Sequence, residues 1–137
     1  MKHKRFDIGD TFETPDIPAS EIVGIDEYAL YSHSGTHKQW ISYTLESGQE
    51  GPYKRWWLTD EKSGVFVWTD LEKLPDEHGN LNLDESGICT LIASGDSKVS
   101  SPYSSVLFYQ KNALYYCSEV FCGSTEVLYM QGRKITL

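Results

Sequence analysis

Hydrophobic and polar residues alternate along much of the chain. Within the range 40–46, the apolar residues Ile41, Tyr43 and Leu45 fall on one face of an extended strand, and small polar residues fall on the other face together with Trp40. Helical periodicity is hard to find. Because alternation interrupted by turn residues every 8–12 positions or so is typical of antiparallel sheets, the sequence predicts an all-β fold, either an antiparallel sandwich or a barrel-like structure.

The strand pattern predicts a single domain over residues 1–137. Two β-rich halves, 1–74 and 87–137, flank a polar connection over 75–86. The predicted strands are 38–46, 53–59, 64–69, 87–93, 104–110, 113–122 and 125–136.

Turn residues separate these strands. A hairpin connection is predicted over 59–64, and further turns at Lys111-Asn112 and Gly123-Ser124. Two prolines predict an irregular loop over 14–20, and one helical turn fits 70–74.

The chain is acidic, and its carboxylates are concentrated in two segments. Its 137 residues include 20 acidic and 12 basic side chains, which give a formal net charge of -8. Residues 7–37 contain no Lys or Arg, and residues 60–86 are also strongly acidic. This balance disfavours nucleic-acid binding and favours a protein partner with a basic surface. The alternative is that both segments are solvated loops that keep the domain soluble.

Neither the histidines nor the cysteines form a recognisable site. The four histidines are scattered, so we expect no metal and no cofactor. Three cysteines without a Cys-x-x-Cys pair predict thiols that are free and largely buried, in a cytoplasmic protein. No run approaches the roughly 18 apolar residues that a spanning helix requires, so we expect no membrane insertion.

The aromatic segment 53–58 is the strongest local feature. A strand places Trp56 and Trp57 on opposite faces, so one indole enters the core and the other is a candidate anchor for a partner, flanked by Tyr53 and Arg55. Alternatively, both indoles are buried in a two-layer fold. The other candidate binding residues are acidic: Asp16, Glu21, Asp26 and Glu27.

Several short motifs together resemble the DUF4178 family of bacterial proteins. The segments that carry the resemblance are Ile8-Gly9-Asp10, residues 27–31, 43–46, 55–58 and 118–120, and the closing segment 126–135. The resemblance implies an accessory role in bacteria, and it supplies no catalytic residues.

These observations lead to one functional prediction and two alternatives. We predict a non-enzymatic, acidic binding or accessory protein, acting in a bacterial complex or as an inhibitor of the immunity-protein type; a homo-oligomer is possible. The first alternative binds a small cationic, polyamine-like ligand through carboxylates and indoles. The second is a hydrolase that uses Cys or Ser with His33 or His37.

Overall fold

The structure, a computed structural model, describes residues 4–15, 17–32, 35–47, 56–75 and 81–137. Nine strands and no helix lie within these ranges. The strands are β1 (Thr11–Thr14), β2 (Ile17–Ser32), β3 (Gly35–Ser47), β4 (Trp56–Glu61), β5 (Gly64–Leu71), β6 (Asn82–Ser94), β7 (Ser97–Lys111), β8 (Leu114–Phe121) and β9 (Leu128–Ile135).

All nine strands belong to one antiparallel sheet that closes on itself. The order is β1-β2-β3-β4-β5-β9-β8-β7-β6, and a further pairing of β2 with β6 closes a ring of eight strands. Two four-stranded meanders, β2–β5 and β6–β9, therefore join edge to edge. This arrangement confirms the prediction of an all-β, antiparallel fold, and its closed ring is barrel-like.

Strand β2 closes the ring by pairing with β6, and this pairing is the seam of the ring. One of its edges pairs with β3 along most of its length. The other edge pairs first with β1, from Ile17 to Glu21, and then with β6, from Asp26 to Tyr31. Register irregularities between Ile22 and Gly24 and between Leu30 and Tyr31 interrupt its alternation. Such bulges bend a strand and increase its twist, which helps the sheet to close.

Strands β3–β5 are buried on both faces, and alternate residues enter two different cores. Ile41, Tyr43 and Leu45 contribute to an outer core on the outside of the ring. Trp40, Phe66 and Trp68 contribute to an inner core, which also receives side chains from β6, β7 and β8. The predicted faces of residues 40–46 are therefore confirmed.

The N-terminal segment covers the outer core. Phe6 packs edge to face against Phe12 and Tyr43, with ring centroids 5.7 Å and 5.4 Å apart. Its neighbour Arg5 donates from Nε to a carboxylate oxygen of Asp60, 2.8 Å away, and from its backbone N–H to the Tyr43 hydroxyl. Asp60 is 1% exposed, so this contact provides a charged partner where water has little access.

All seven predicted strands have counterparts, whereas β1 and β2 were not among the predicted strands, and two predicted connecting segments are wrong. The loop predicted over 14–20 is wrong, since β1 ends at Thr14 and β2 begins at Ile17. Pro18 lies opposite the register irregularity between Phe12 and Thr14, a position where a strand tolerates a residue without an N–H. The helical turn predicted over 70–74 is also wrong, because β5 continues to Leu71 and no helix follows within the described residues.

The connection between the two halves is shorter than predicted. Strand β6 begins at Asn82 rather than at residue 87. The turns at Lys111-Asn112 and Gly123-Ser124 are confirmed, and Asn112 adopts a φ of 55°. Within the described ranges, no helix has the length and apolarity needed to cross a bilayer.

Candidate functional site

A cavity of about 110 Å³ remains inside the ring. Its wall is mainly aromatic because inward-facing positions on most of the strands carry large rings. The rings of the wall include Tyr28, Trp40, Trp57, Trp68, Tyr103 and Phe108.

Strand alternation and ring contacts fix the orientation of this wall. Thr59 faces inward on β4, as Trp57 does two residues earlier, and accepts a hydrogen bond of 2.8 Å from Nε1 of Trp68. Phe108 meets Trp40 edge to face, with centroids 6.2 Å apart. Rings held by packing and a hydrogen bond form a surface that is ordered before any ligand arrives.

Of the two carboxylates that line this cavity, Glu61 pairs with Lys38, whereas Glu119 has no cationic partner among the described residues. It lies on β8, and one of its carboxylate oxygens accepts a 2.7 Å hydrogen bond from the Ser104 hydroxyl. Burial raises the pKa of Glu119, and the Ser104 hydrogen bond opposes that effect. The site therefore contains a partly desolvated carboxyl group surrounded by aromatic rings.

Two tyrosines lie at the same end of the cavity. The rings of Tyr28 and Tyr103 are 5.2 Å apart, and Tyr28 also stacks on Trp40 with a centroid distance of 5.9 Å. Burial is the main cause that raises the pKa of both phenols, and the charge of Asp26 contributes. Both hydroxyls therefore stay protonated and can donate or accept hydrogen bonds.

Lys38 occupies the opposite end of the cavity. Its Nζ lies 3.0 Å from an oxygen of Glu85 and 3.6 Å from one of Glu61. The same Nζ lies 4.4 Å from the centre of the Phe108 ring. Beyond Lys38 a wider cleft of about 630 Å³ opens at the end of the ring. Since Lys38 lines both spaces, it separates the cavity from this cleft.

Two of the three thiols also face the interior. Burial raises the pKa of Cys89 to about 12 and raises that of Cys117 well above its ordinary value. Both groups therefore remain neutral thiols near pH 7 and are poor nucleophiles. Cys122 is exposed, so the prediction that all three thiols are largely buried is wrong for this residue, which lies in the turn after β8.

The structure places Trp56 and Trp57, the two tryptophans of the aromatic segment 53–58, on different faces of β4. Both are half-buried. Trp56 packs on the outer core, whereas Trp57 packs on the inner core and lines the cavity. The flanking Tyr53 and Arg55 lie outside the described residues.

The predicted acidic residues are not brought together with Trp57. Glu21 is exposed on β2, opposite Thr11 of β1. Asp26 accepts a 2.7 Å hydrogen bond from Ser94, and with Glu27 it borders a separate cleft of about 180 Å³ beside the turn between β6 and β7. Asp26 is nevertheless near enough to influence the two cavity tyrosines. Asp16 lies outside the described residues.

Sequence reasoning missed Glu119, although a signal for it exists. Within β8, Cys117, Glu119 and Phe121 share one face, and the two neighbours of Glu119 on that face line the cavity. A carboxylate that shares a strand face with apolar residues is costly to bury unless it has a charged or hydrogen-bonding partner or serves a function. The alternation of residues 117–121 carries that signal by itself.

Comparison with known proteins finds no family model that matches the chain, and no match among curated proteins or solved structures. The resemblance to the DUF4178 family therefore stays a prediction. Among the described residues, no cluster of three histidine, cysteine or acidic side chains is arranged to hold a metal ion.

Proposed function

We propose that this protein binds one small molecule inside the ring of β2–β9. The observation that carries the proposal is the interior cavity of about 110 Å³, whose lining combines aromatic rings with the partly buried carboxyl group of Glu119. Small-molecule sites are typically apolar concavities with a few placed polar groups, and this cavity has that composition.

The size of the ring supports the proposal. An eight-stranded closed sheet encloses a space that is either filled by side chains or holds one small ligand. An apolar protein cavity of about 150 Å³ is known to accept benzene. The space here is somewhat smaller but is open at one side, so a single ring with a short substituent is the size of ligand to test.

Titration with single-ring probes tests the proposal. Benzyl alcohol and benzylamine form a suitable neutral and cationic pair, and quenching of tryptophan fluorescence reports their binding because three indoles line the cavity. A probe at about 100 times its dissociation constant should stabilise the fold by about 2.7 kcal/mol. If neither probe gives a saturable signal or raises the melting temperature, the proposal is wrong.

A matched pair of variants locates the binding. Val106 is buried and lines the cavity, so Val106→Phe should fill the space and abolish probe binding. Leu107 is the next residue on β7 and is 39% exposed on the outside, so Leu107→Phe should leave binding unchanged. Val106→Leu, which adds less volume, should weaken binding and serves if the phenylalanine variant does not fold. Equal binding by all three variants would exclude the cavity as the site.

A second proposal retains the acidic surface as an interaction site for a basic protein. The net charge of -8 and the exposure of Glu21 on β2 support it. Charge of one sign accelerates encounter with the opposite sign and is screened by salt. Once a partner is known, neutralising Asp16, Glu21, Asp26 and Glu27 together should slow association, and indifference to both salt and this change would refute the proposal. The three free thiols agree with the proposed cytoplasmic location.

A further inference from the structure

The interior of the ring already shows how this protein accommodates an ammonium group. The Nζ of Lys38 lies 4.4 Å from the ring centre of Phe108 and 5.7 Å from that of Trp40. Carboxylates of Glu61 and Glu85 neutralise it at 3.6 Å and 3.0 Å. Aromatic faces attract cations and carboxylates pair with them, so this end of the cavity is a complete site occupied by the protein's own side chain.

The opposite end of the cavity has the same components without a cation from the described residues. Glu119 supplies the carboxyl group, Tyr103 lies within electrostatic range of it, and Tyr28 packs on Tyr103 with ring centroids 5.2 Å apart. Asp26 adds negative charge near the two tyrosines. Ser104 hydrogen-bonds one oxygen of Glu119, which fixes the direction of the carboxyl group.

The charges that line the cavity match a ligand with a single positive charge. Glu61 lines the cavity beside Lys38 and is paired with it, whereas Glu119 is the one carboxylate among the described lining residues that is not paired with Lys38, so the cavity offers a single carboxylate to the ammonium of a ligand. A linear polyamine would bring two or more ammonium groups into a space with one carboxylate to receive them. The aromatic wall instead suits an apolar body.

We propose that the ligand is a monocationic amine with a compact apolar body, whose ammonium pairs with Glu119 while its body lies among the interior aromatic rings. This inference rests on the proposed function and specifies the class of ligand for that same cavity. The ammonium donates to the carboxylate oxygens and faces Tyr28 and Tyr103, as that of Lys38 faces Phe108 at the other end.

The pairing makes binding dependent on pH. The titratable groups that face Glu119 are Tyr103, Cys89 and Cys117, and all three stay neutral near pH 7 because burial raises their pKa values. In the empty cavity burial favours the protonated form of Glu119, whereas the bound ammonium favours the ionised form. Amine binding and ionisation of Glu119 are therefore linked, and amine affinity falls as the pH is lowered through the pKa of Glu119.

Calorimetric titration of benzylamine and benzyl alcohol tests the inference, because the two probes differ in charge but hardly in size. Wild-type protein should prefer the amine by about tenfold to hundredfold, the range expected of a charge-assisted hydrogen bond. Glu119→Gln keeps the shape of the side chain and the hydrogen bond with Ser104, and it should abolish this preference, so that both probes bind with about equal affinity. Glu126→Gln makes the same change of net charge at an exposed site outside the cavity and should keep the full preference.

The outcomes separate this inference from the proposed function. If the alcohol binds as tightly as the amine, or if Glu119→Gln keeps the preference, the amine inference is wrong while a small-molecule site remains. If neither probe binds, the proposed function fails and the inference fails with it. Should Glu119→Gln not fold, the wild type provides the test. Its amine affinity must fall as the pH is lowered through the pKa of Glu119, which burial raises above its ordinary value, while its alcohol affinity stays constant.

Discussion

Replacing Gly132 by alanine should destabilise the ring by pushing Trp68 away from β9. Gly132 and Trp68 are direct partners in the β5–β9 pairing, and the indole lies against the glycine. A Cβ at this position would lie 2.5–2.7 Å from three ring atoms. Ordinary carbon contacts are at about 3.5 Å or more, so the indole must withdraw by about 1 Å.

Withdrawal of the indole has two costs. Trp68 is 8% exposed and tightly packed, and overpacking of a core typically costs about 1–3 kcal/mol. The Nε1 hydrogen bond to Thr59 at 2.8 Å would be stretched beyond useful range, which adds about 1 kcal/mol. The expected loss is about 2–4 kcal/mol, or about 4 °C in melting temperature for each kcal/mol.

Urea unfolding followed by circular dichroism and tryptophan emission measures this effect. Gly24→Ala is the matched control, since the nearest atom to its Cβ is Thr44 Oγ1 at 3.3 Å and neither glycine has a positive φ; it should cost less than about 1 kcal/mol. A Trp68→Phe background should reduce the cost of Gly132→Ala, because a smaller ring leaves more room. A Gly132→Ala protein within 0.5 kcal/mol or so of the wild type, with unchanged emission, would refute the steric argument.

Three further predictions follow from contacts described above. Phe6→Ala should lower the free energy of unfolding by about 2 kcal/mol, which is roughly half the loss for a fully buried phenylalanine. An unchanged urea midpoint would show that the N-terminal segment does not stabilise the outer core. A thiol reagent should modify Cys122 rapidly in the native protein and the two interior cysteines only after unfolding, so three fast thiols would contradict the buried positions of the other two. Burial raises the pKa of Glu119 in the fold, so this residue contributes stability at pH values below its unfolded pKa, and that stability is lost as the pH rises through its folded pKa. Glu119→Gln should therefore be more stable than the wild type near pH 7 and equal to it at acid pH. The same difference in stability at both pH values would refute this prediction.

The alternating segments of the fold were predictable from the sequence, and the bulged one was not. In β3 every second residue enters the same core, so residues 40–46 reveal a strand directly. In β2 the buried residues Ile22 and Ile25 are three apart because of the irregularity between them, which breaks the period of two. The prolines at 15 and 18 then made a tight β1–β2 connection resemble a loop.

The cavity was predictable only in part. Trp57 was singled out as part of the aromatic segment 53–58, but the sequence does not tell which of Trp56 and Trp57 points into the ring. Glu119 and Tyr28 belong to different meanders, and they meet only because β2 pairs with β6. Pairing between strands that are distant in sequence is set by closure of the whole sheet, and no local pattern encodes it.

That closure also determines when the site comes into existence during folding. Within each meander, hairpins close loops of a few residues, whereas the seam joins Asp26 to Ser94, 68 residues apart. Closing a loop of that length costs about 2.5 kcal/mol more entropy than closing a loop of four residues or so. We therefore expect the hairpins to form before the seam.

The two walls of the cavity come from opposite sides of the seam. Tyr28 and Trp57 are carried by the first meander, and Tyr103 and Glu119 by the second. Neither half has both walls of the cavity, so a half-length fragment should bind neither probe even if it folds. Closure of the ring is thus the step of folding that creates the cavity.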